Sequence, residues 1–149
     1  MIIRVATDSD QAVLADFFLH QRRDCFHWVD ATLFTRDEWF EQTQGEQVWL
    51  AERAGRIAGV VSLWQPDWFI HHLYVAADSR GEGIGRRLLA TALAECQQSA
   101  SLKVAQFNTT ALGFYYRLGW QNTAEQGVCP ITGPWLRLEL PFSPNVQIE

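Results

Sequence analysis

The chain has few cysteines, and their spacing does not suit a metal site or a disulfide framework. Three occur in 149 residues, at Cys25, Cys96 and Cys129, and no two of them form a C-x-x-C pair. An odd number of widely separated cysteines excludes a disulfide-stapled scaffold and a cysteine zinc site. We therefore expect free thiols, a reducing compartment such as the cytoplasm, and no bound metal.

Long apolar runs and a leader-like segment are also missing. No apolar stretch approaches the roughly 20 residues that a membrane-spanning helix needs. Residues 1–6 have the length of a strand and are followed at once by Asp8 and Asp10, unlike a secretory signal. The sequence predicts neither a membrane span nor a targeting segment.

The sequence has fewer positively charged than negatively charged residues. The chain has 12 Lys and Arg residues against 17 Asp and Glu, a formal net charge of -5. Nonspecific nucleic-acid binding requires many cations to neutralise phosphates. We therefore expect no nucleic-acid partner and favour a neutral or cationic substrate.

The composition that is present is typical of one folded domain. Hydrophobic residues make up 48% of the sequence and charged residues 19%, which argues against intrinsic disorder. A length of 149 residues without repeat or linker suits a single domain, 1–149. Strand-like and helix-like segments alternate, so we expect a layered α/β fold.

Two parts of the sheet can be outlined from turn signals. Segments 47–52 and 56–64 are predicted strands joined at Ala54-Gly55, a hairpin signal. Segments 120–125 and 135–140 are predicted to form a closing hairpin with a long loop over 126–134. Residues 141–149 are expected to be a surface tail.

The most informative segment joins the apolar strand 73–75 to an amphipathic helix through a glycine-rich turn. The turn contains three glycines and three arginines: Gly81, Gly83 and Gly85, and Arg80, Arg86 and Arg87. The alternate glycines leave the backbone bare where the helix begins, so its unpaired N–H groups can converge on an anion. Spacing excludes a dinucleotide fingerprint, whose third glycine would fall at Arg86, and no P-loop run exists. The turn predicts a pyrophosphate site of another type.

A second motif lies downstream. Asn108 follows a strand, a short helix carries Phe114 and Tyr115 on one face, and Gly119 is placed for a left-handed helix end. Together with Arg80-x-x-Gly83-x-Gly85, this segment resembles the two signatures of the GNAT superfamily of acetyl-CoA-dependent N-acetyltransferases. The resemblance covers about residues 48–120.

The resemblance implies a fold and a cofactor site. The fold would be a single GNAT-like α/β domain, with a mixed, mostly antiparallel sheet of about six to seven strands flanked by about four helices. One parallel pair, the strand ending at Val75 and a short strand at 104–107, would splay apart and hold the CoA. The strand at 73–75, bulged on the family pattern, would bind pantetheine and present an N–H to the thioester oxygen. The residues assigned to the cofactor are Leu73, Tyr74, Val75, Arg80, Gly81, Gly83, Ile84, Gly85, Arg86, Asn108, Ala111 and Phe114.

Tyr115 stands where the family places its acid. The resemblance implies that its hydroxyl protonates or hydrogen-bonds the departing thiolate, while a routine packed tyrosine is the structural alternative. Tyr116 lies one helical step away, which turns it by about 100 degrees.

The base is assigned by strand parity. In a regular strand His71 shares a face with Phe69 and Leu73, whereas His72 faces the opposite way. Phe69 fills the position of a common family glutamate and cannot take a proton, which leaves His71 as first candidate. Asp67 or His27 acting through water are weaker candidates, and a structural His71 is equally compatible with the sequence.

The acceptor pocket would be shaped by the segment between the first two helices. Asp24 or Asp30 could bind a substrate ammonium, and Phe26 and Trp28 could supply apolar walls beside His27. Helix packing explains the same residues as well.

The resemblance implies an acyltransferase that moves acetyl from acetyl-CoA to a primary amine of a small molecule or peptide, by direct transfer in a ternary complex. The alternatives are a protein amino-terminal or lysine acetyltransferase and a non-catalytic CoA-binding homologue. Tyr115 beside a complete glycine turn favours catalysis. Either a monomer or a homodimer is compatible with the sequence.

Overall fold

Residues 1–142, which a computed structural model describes, form a twisted sheet with helices on both faces. The strands are β1 (Ile2–Val5), β2 (Gln47–Arg53), β3 (Arg56–Trp64), β4 (Phe69–Val75), β5 (Ala100–Ala105), β6 (Gln121–Cys129) and β7 (Gly133–Leu140). The α-helices are α1 (Gln11–Cys25), α2 (Glu38–Gln42), α3 (Ile84–Leu93) and α4 (Thr109–Arg117). No helix in this range is long and apolar enough to cross a membrane.

The sheet is mixed, and its strand order is β1-β2-β3-β4-β5-β7-β6. Every neighbouring pair is antiparallel except β4 and β5, which are parallel. This confirms the predicted α/β class, with seven mostly antiparallel strands, four α-helices and one parallel pair. Most of the predicted tail, residues 143–149, lies outside the described residues.

Local turn chemistry explains the β2–β3 hairpin. Ala54 and Gly55 both have positive φ, 51° and 74°, as a two-residue turn between twisted strands requires. The predicted hairpin at Ala54-Gly55 is confirmed.

The two faces of the sheet bury separate apolar clusters. On one face α1 and α2 contribute residues such as Leu14, Phe18 and Trp39, all fully buried. On the other, α3 contributes Ile84 and Leu88 to a cluster that also takes in side chains of β3, β5 and β7. Helices cover both faces because each face needs an apolar cover.

The long loop predicted at 126–134 is wrong. β6 runs on to Cys129 and β7 begins at Gly133, so that only residues 130–132 connect them. Gly127 pairs with Trp135, and a Cβ at Gly127 would lie 2.4 Å from the Trp135 ring. The glycine is therefore a packing requirement within a strand, whereas the sequence suggested a loop. β5 likewise starts earlier than the predicted 104–107 segment.

Candidate active site

The parallel strands β4 and β5 meet at one end and diverge toward the other. Within the described chain their only register pair is Phe69 with Ser101, where the Ser101 N–H donates to the Trp68 carbonyl at 3.1 Å. Beyond this pair β5 follows β7 along its whole length, whereas β4 stays with β3. The gap between β4 and β5 opens into a cavity of about 810 Å³, a typical size for a ligand site.

The cavity brings together the two sequence motifs. All the residues that the sequence assigned to the cofactor line it, and so does Tyr115. Of the predicted acceptor residues, Asp24 and His27 line it, whereas Phe26 and Trp28 lie outside its lining. His71 also lies outside the lining, two residues before Leu73 on β4.

The glycine-rich turn forms one end of the cavity. Gly81 and Gly83 have φ of 81° and 80°, and a Cβ on either would meet nothing within 4 Å. No side chain caps α3 at Gly83, so the first amides of the helix keep their N–H groups available. Gly85 lies so close to β4 that a Cβ would come within 3.3 Å of Val75 Cγ2. The turn is thus an open set of N–H donors at a helix N-terminus, which suits an anion.

Arg80 connects this turn to the end of α1. Its Nε donates to the Val75 carbonyl at 3.2 Å, and its Nη2 lies 3.4 Å from Asp24 Oδ2. Both charged side chains are about half exposed, so the ion pair contributes little stability. The Asp24 carboxylate, a predicted ammonium site, already has a cationic partner at the cavity wall.

Asn108 begins α4 on the opposite wall. Its side-chain oxygen accepts a hydrogen bond from the Ala111 N–H at 3.2 Å, which caps the helix. Because the side-chain oxygen accepts this hydrogen bond, the carboxamide NH2 group is the part of Asn108 that is available to a ligand.

Tyr115 is buried at the cavity wall. The residue is 8% exposed, and its ring packs edge-on against Phe114 and Trp120, with centroids 5.1 and 5.7 Å away. The hydroxyl makes no hydrogen bond to any group of residues 1–142. Burial, with a smaller effect from Tyr74, raises the pKa of Tyr115 above its ordinary value. The side chain is therefore a neutral proton donor at the cavity wall.

Tyr116 points away from this wall. It is 42% exposed, and its hydroxyl donates to Asn122 Oδ1 at 2.6 Å. The helix register predicted for the two tyrosines is confirmed.

The strand parity predicted for His71 and His72 is wrong. The β3–β4 register passes from Ser62 with His72 to Leu63 with Ile70, which leaves His71 unpaired in a β-bulge. Both rings therefore lie on one side and stack, with centroids 3.9 Å apart and planes 20° from parallel. The bulge lies upstream of the predicted 73–75 segment, which pairs regularly with β3.

The two histidines have different surroundings. His72 is buried against Phe18 and Trp39, and desolvation, followed by the nearby His71, holds its pKa well below the ordinary value. His71 keeps 30% of its side chain exposed, and its Nδ1 lies 2.7 Å from Glu46 Oε2. His71 is thus the accessible member of the pair, while His72 stays neutral.

The segment after α1 forms an aromatic wall next to the β6–β7 connection. Trp28 Nε1 donates to the Thr132 carbonyl at 3.0 Å, and the Trp28 ring packs edge-on against Phe26 and Phe107. Asp30 is not a free carboxylate, because it accepts hydrogen bonds from the Thr32 N–H and hydroxyl, which lower its pKa. Phe26 and Trp28, which the sequence predicted as apolar walls of the acceptor pocket, therefore pack against each other.

Sequence reasoning missed two residues of this region. Glu46, whose side chain is 4% exposed, is 25 residues from His71 in the sequence, and only the folded structure brings the two together. Nothing in the sequence around Glu46 indicated a functional residue. Phe107 lines the cavity and immediately precedes Asn108, so its place in the second motif could have flagged it. The weaker base candidate Asp67 is exposed in the turn before β4. Within residues 1–142 no three His, Cys, Asp or Glu side chains group as a metal site.

Comparison with known proteins agrees with this geometry. The model of the Acetyltransferase (GNAT) family matches residues 14–120. The L-amino acid N-acyltransferase MnaT of Escherichia coli is 30% identical, over 93% of this chain and 90% of that protein. The L-methionine sulfoximine/L-methionine sulfone acetyltransferase of Salmonella typhimurium is 28% identical, over 93% and 91%. The structure of yncA from Salmonella typhimurium with its cofactor acetyl-CoA has a TM-score of 0.70 and 22% identity, covering 98% of this chain and 96% of that one.

Proposed function

Because the chain belongs to the GNAT acetyltransferase family, we propose that it transfers an acetyl group from acetyl-CoA to the primary amine of a small, amino acid-like molecule, by direct transfer in a ternary complex. The observation that carries this proposal is the cavity between β4 and β5, which has bare helix N–H groups at one end and Tyr115 on its wall.

The cavity fits a long ligand that ends in phosphates. The space above Gly83 is open, so that phosphate oxygens can approach the N–H groups of Ile84 and Gly85. Because β5 has left β4, the β4 backbone groups between Ile70 and Val75 that point away from β3 face the gap without a strand partner among residues 1–142. These groups are available to a pantetheine amide chain, and the Asn108 NH2 group can donate from the other wall. When bound, acetyl-CoA supplies a thioester acetyl group and a thiolate leaving group.

Tyr115 is proposed as the general acid. Its hydroxyl is protonated, lies at the cavity wall and has no competing acceptor among residues 1–142. Protonation of the departing thiolate by Tyr115 favours bond breaking, because it removes the negative charge as that charge develops.

His71 is proposed as the general base. A neutral imidazole can take the proton that an acceptor ammonium must lose before its nitrogen can attack the acyl carbon. With Nδ1 engaged by Glu46, Nε2 is the nitrogen left to accept this proton. The acceptor nitrogen loses two protons in all: His71 takes one before attack, and the second, lost as the amide forms, replaces the proton that Tyr115 gives to the thiolate. The net products are the amide, the CoA thiol and one proton, which His71 releases to solvent.

The relatives and the surroundings support an amino acid-like acceptor. Two relatives that match more than nine tenths of this chain are named for L-amino acids or methionine derivatives. Phe107, which lines the cavity and packs against Trp28, can cover an apolar side chain of such a molecule.

A panel of amines incubated with acetyl-CoA, with release of free thiol as the signal, tests the proposal. The panel contains L-amino acids, methionine sulfoximine and sulfone, polyamines, and peptides with a free amino terminus or a lysine. The highest kcat/KM is expected for an L-amino acid derivative. A preference for peptides would support the protein-acetyltransferase alternative, and CoA binding without turnover of any amine would support a non-catalytic homologue.

A further inference from the structure

Glu46 has an unusual environment for a carboxylate. Its side chain is 4% exposed, and one oxygen, Oε1, is buried with no hydrogen-bond partner in the described chain. No lysine or arginine of residues 1–142 lies within ion-pair distance, and the one polar side-chain contact of Glu46 in this range is with His71 Nδ1 at 2.7 Å. Burial of a half-satisfied carboxylate is costly, so packing alone does not account for Glu46.

The backbone before β2 holds Glu46 in place. The Glu46 N–H donates to the Thr43 carbonyl at 3.0 Å, and Gly45 reaches the left-handed region with φ of 79°. Trp64 packs close against Gly45, where a Cβ would lie 3.2 Å from its ring. The carboxylate is therefore directed at His71 by a defined turn.

We propose that Glu46 is a positioning residue, which accepts the Nδ1–H of His71 and so fixes the tautomer whose Nε2 lone pair is free for the acceptor amine. This inference rests on the proposed function of His71. It follows from hydrogen-bond chemistry, because an ionised carboxylate only accepts and a neutral imidazole carries one N–H. The His72 ring stacks on one face of the His71 imidazole, with the two ring centroids 3.9 Å apart.

Glu46 is also the charge that faces a protonated His71 most directly. The other groups around it are His72 on β4, kept neutral by burial, Arg22 of α1 behind His72, and Arg137 of β7. Arg137 lies over the Phe69 ring, whose centroid is 5.7 Å from that of His71. Among residues 1–142, only Glu46 contacts the imidazole with a carboxylate, so it can balance the positive charge that His71 gains when it takes a proton.

The decisive variant is Glu46→Met, which replaces the buried carboxylate by an apolar side chain of similar length. We expect the melting temperature to stay the same or rise, because a half-satisfied buried charge is removed. We expect kcat with the preferred amine to fall about ten- to a hundredfold, part of what a general base contributes, while KM for acetyl-CoA is unchanged. Glu41→Met, the same change at an exposed residue of α2, is the control and should keep wild-type kinetics.

A spectroscopic readout makes the test independent of turnover. Long-range proton–nitrogen NMR of the wild-type protein should show His71 with a protonated Nδ1 and an unprotonated Nε2, and Glu46→Met should shift the ring toward the Nε2–H form. Glu46→Ala provides a second variant if Glu46→Met does not fold. An unchanged His71 tautomer in the variant would overturn the proposal, and so would unchanged kcat in a protein that His71→Ala slows. If no amine is acetylated, the proposed function fails, while the NMR result still decides whether Glu46 fixes the tautomer.

Discussion

Removal of the Tyr115 hydroxyl should separate catalysis from folding more cleanly than any other change in the site. In Tyr115→Phe the ring keeps its packing against Phe114 and Trp120. The hydroxyl has no partner in residues 1–142, so its loss leaves no buried group unsatisfied. The free energy of unfolding should therefore change by less than about 0.5 kcal/mol.

The effect on the rate follows from the proposed proton transfer. Loss of one general acid should lower kcat about ten- to a thousandfold, which is about 1.4–4 kcal/mol of barrier. Burial raises the pKa of Tyr115, so the hydroxyl stays protonated throughout the working range and the deficit should be similar at each pH. Affinity for CoA should change little, because the cofactor contacts that we propose come from the turn and the β4 backbone rather than from the Tyr115 hydroxyl.

The assay is steady-state release of thiol from acetyl-CoA with the preferred amine, together with calorimetric CoA binding and thermal unfolding. Tyr116→Phe is the matched control, since it removes an exposed hydroxyl that bonds Asn122 outside the cavity. A larger loss of kcat in Tyr116→Phe than in Tyr115→Phe would refute the assignment of the acid. So would a Tyr115→Phe enzyme within twofold of the wild type when chemistry limits turnover.

Three further changes test other parts of the site. Gly83→Val should abolish CoA binding in isothermal titration, because a branched side chain would fill the open space over the helix N–H groups and strain a residue at φ of 80°; unchanged affinity would contradict the phosphate assignment. In His71→Ala the rise of kcat/KM with pH should be lost, at a cost of about a hundredfold at pH 7, since only neutral imidazole accepts a proton; an unaltered acidic limb would exclude the base role. His72 has a depressed pKa in the fold, so the unfolded chain binds the extra proton first and stability should fall as the pH drops below about 6.5, by up to about 1.4 kcal/mol per pH unit. Urea unfolding from about pH 6.5 to about pH 5, above the range where carboxylates protonate, should show a steeper slope in the wild type than in His72→Leu.

The sequence could predict those parts of the site whose geometry depends only on residues close together in the chain. The alternate glycines predict a bare backbone where α3 begins, and the structure has open space over Gly81 and Gly83 there. Tyr115 and Tyr116 are one helical step apart, so their separation onto different faces follows from helix geometry alone.

The parts that could not be predicted depend on pairing between distant segments. A bulge is a property of two strands, and nothing in the run Ile70-His71-His72-Leu73 reveals that β3 skips His71. The contact of Glu46 with His71 requires the α2–β2 turn and β4 to be placed side by side. The loop predicted before β7 failed for a similar reason, because the Gly127–Trp135 contact exists only in the paired strands.

Because β4 and β5 share one register pair, the sheet consists of two sets of hydrogen-bonded strands, here called panels, that are joined at that pair. One panel is β1 to β4 and the other is β5, β7 and β6, and the backbone ladder between them consists of Phe69 and Ser101. Away from this pair, side chains of one core cluster hold the two panels together. We therefore expect a ligand that fills the gap to contact both panels and to reduce the motion of one relative to the other.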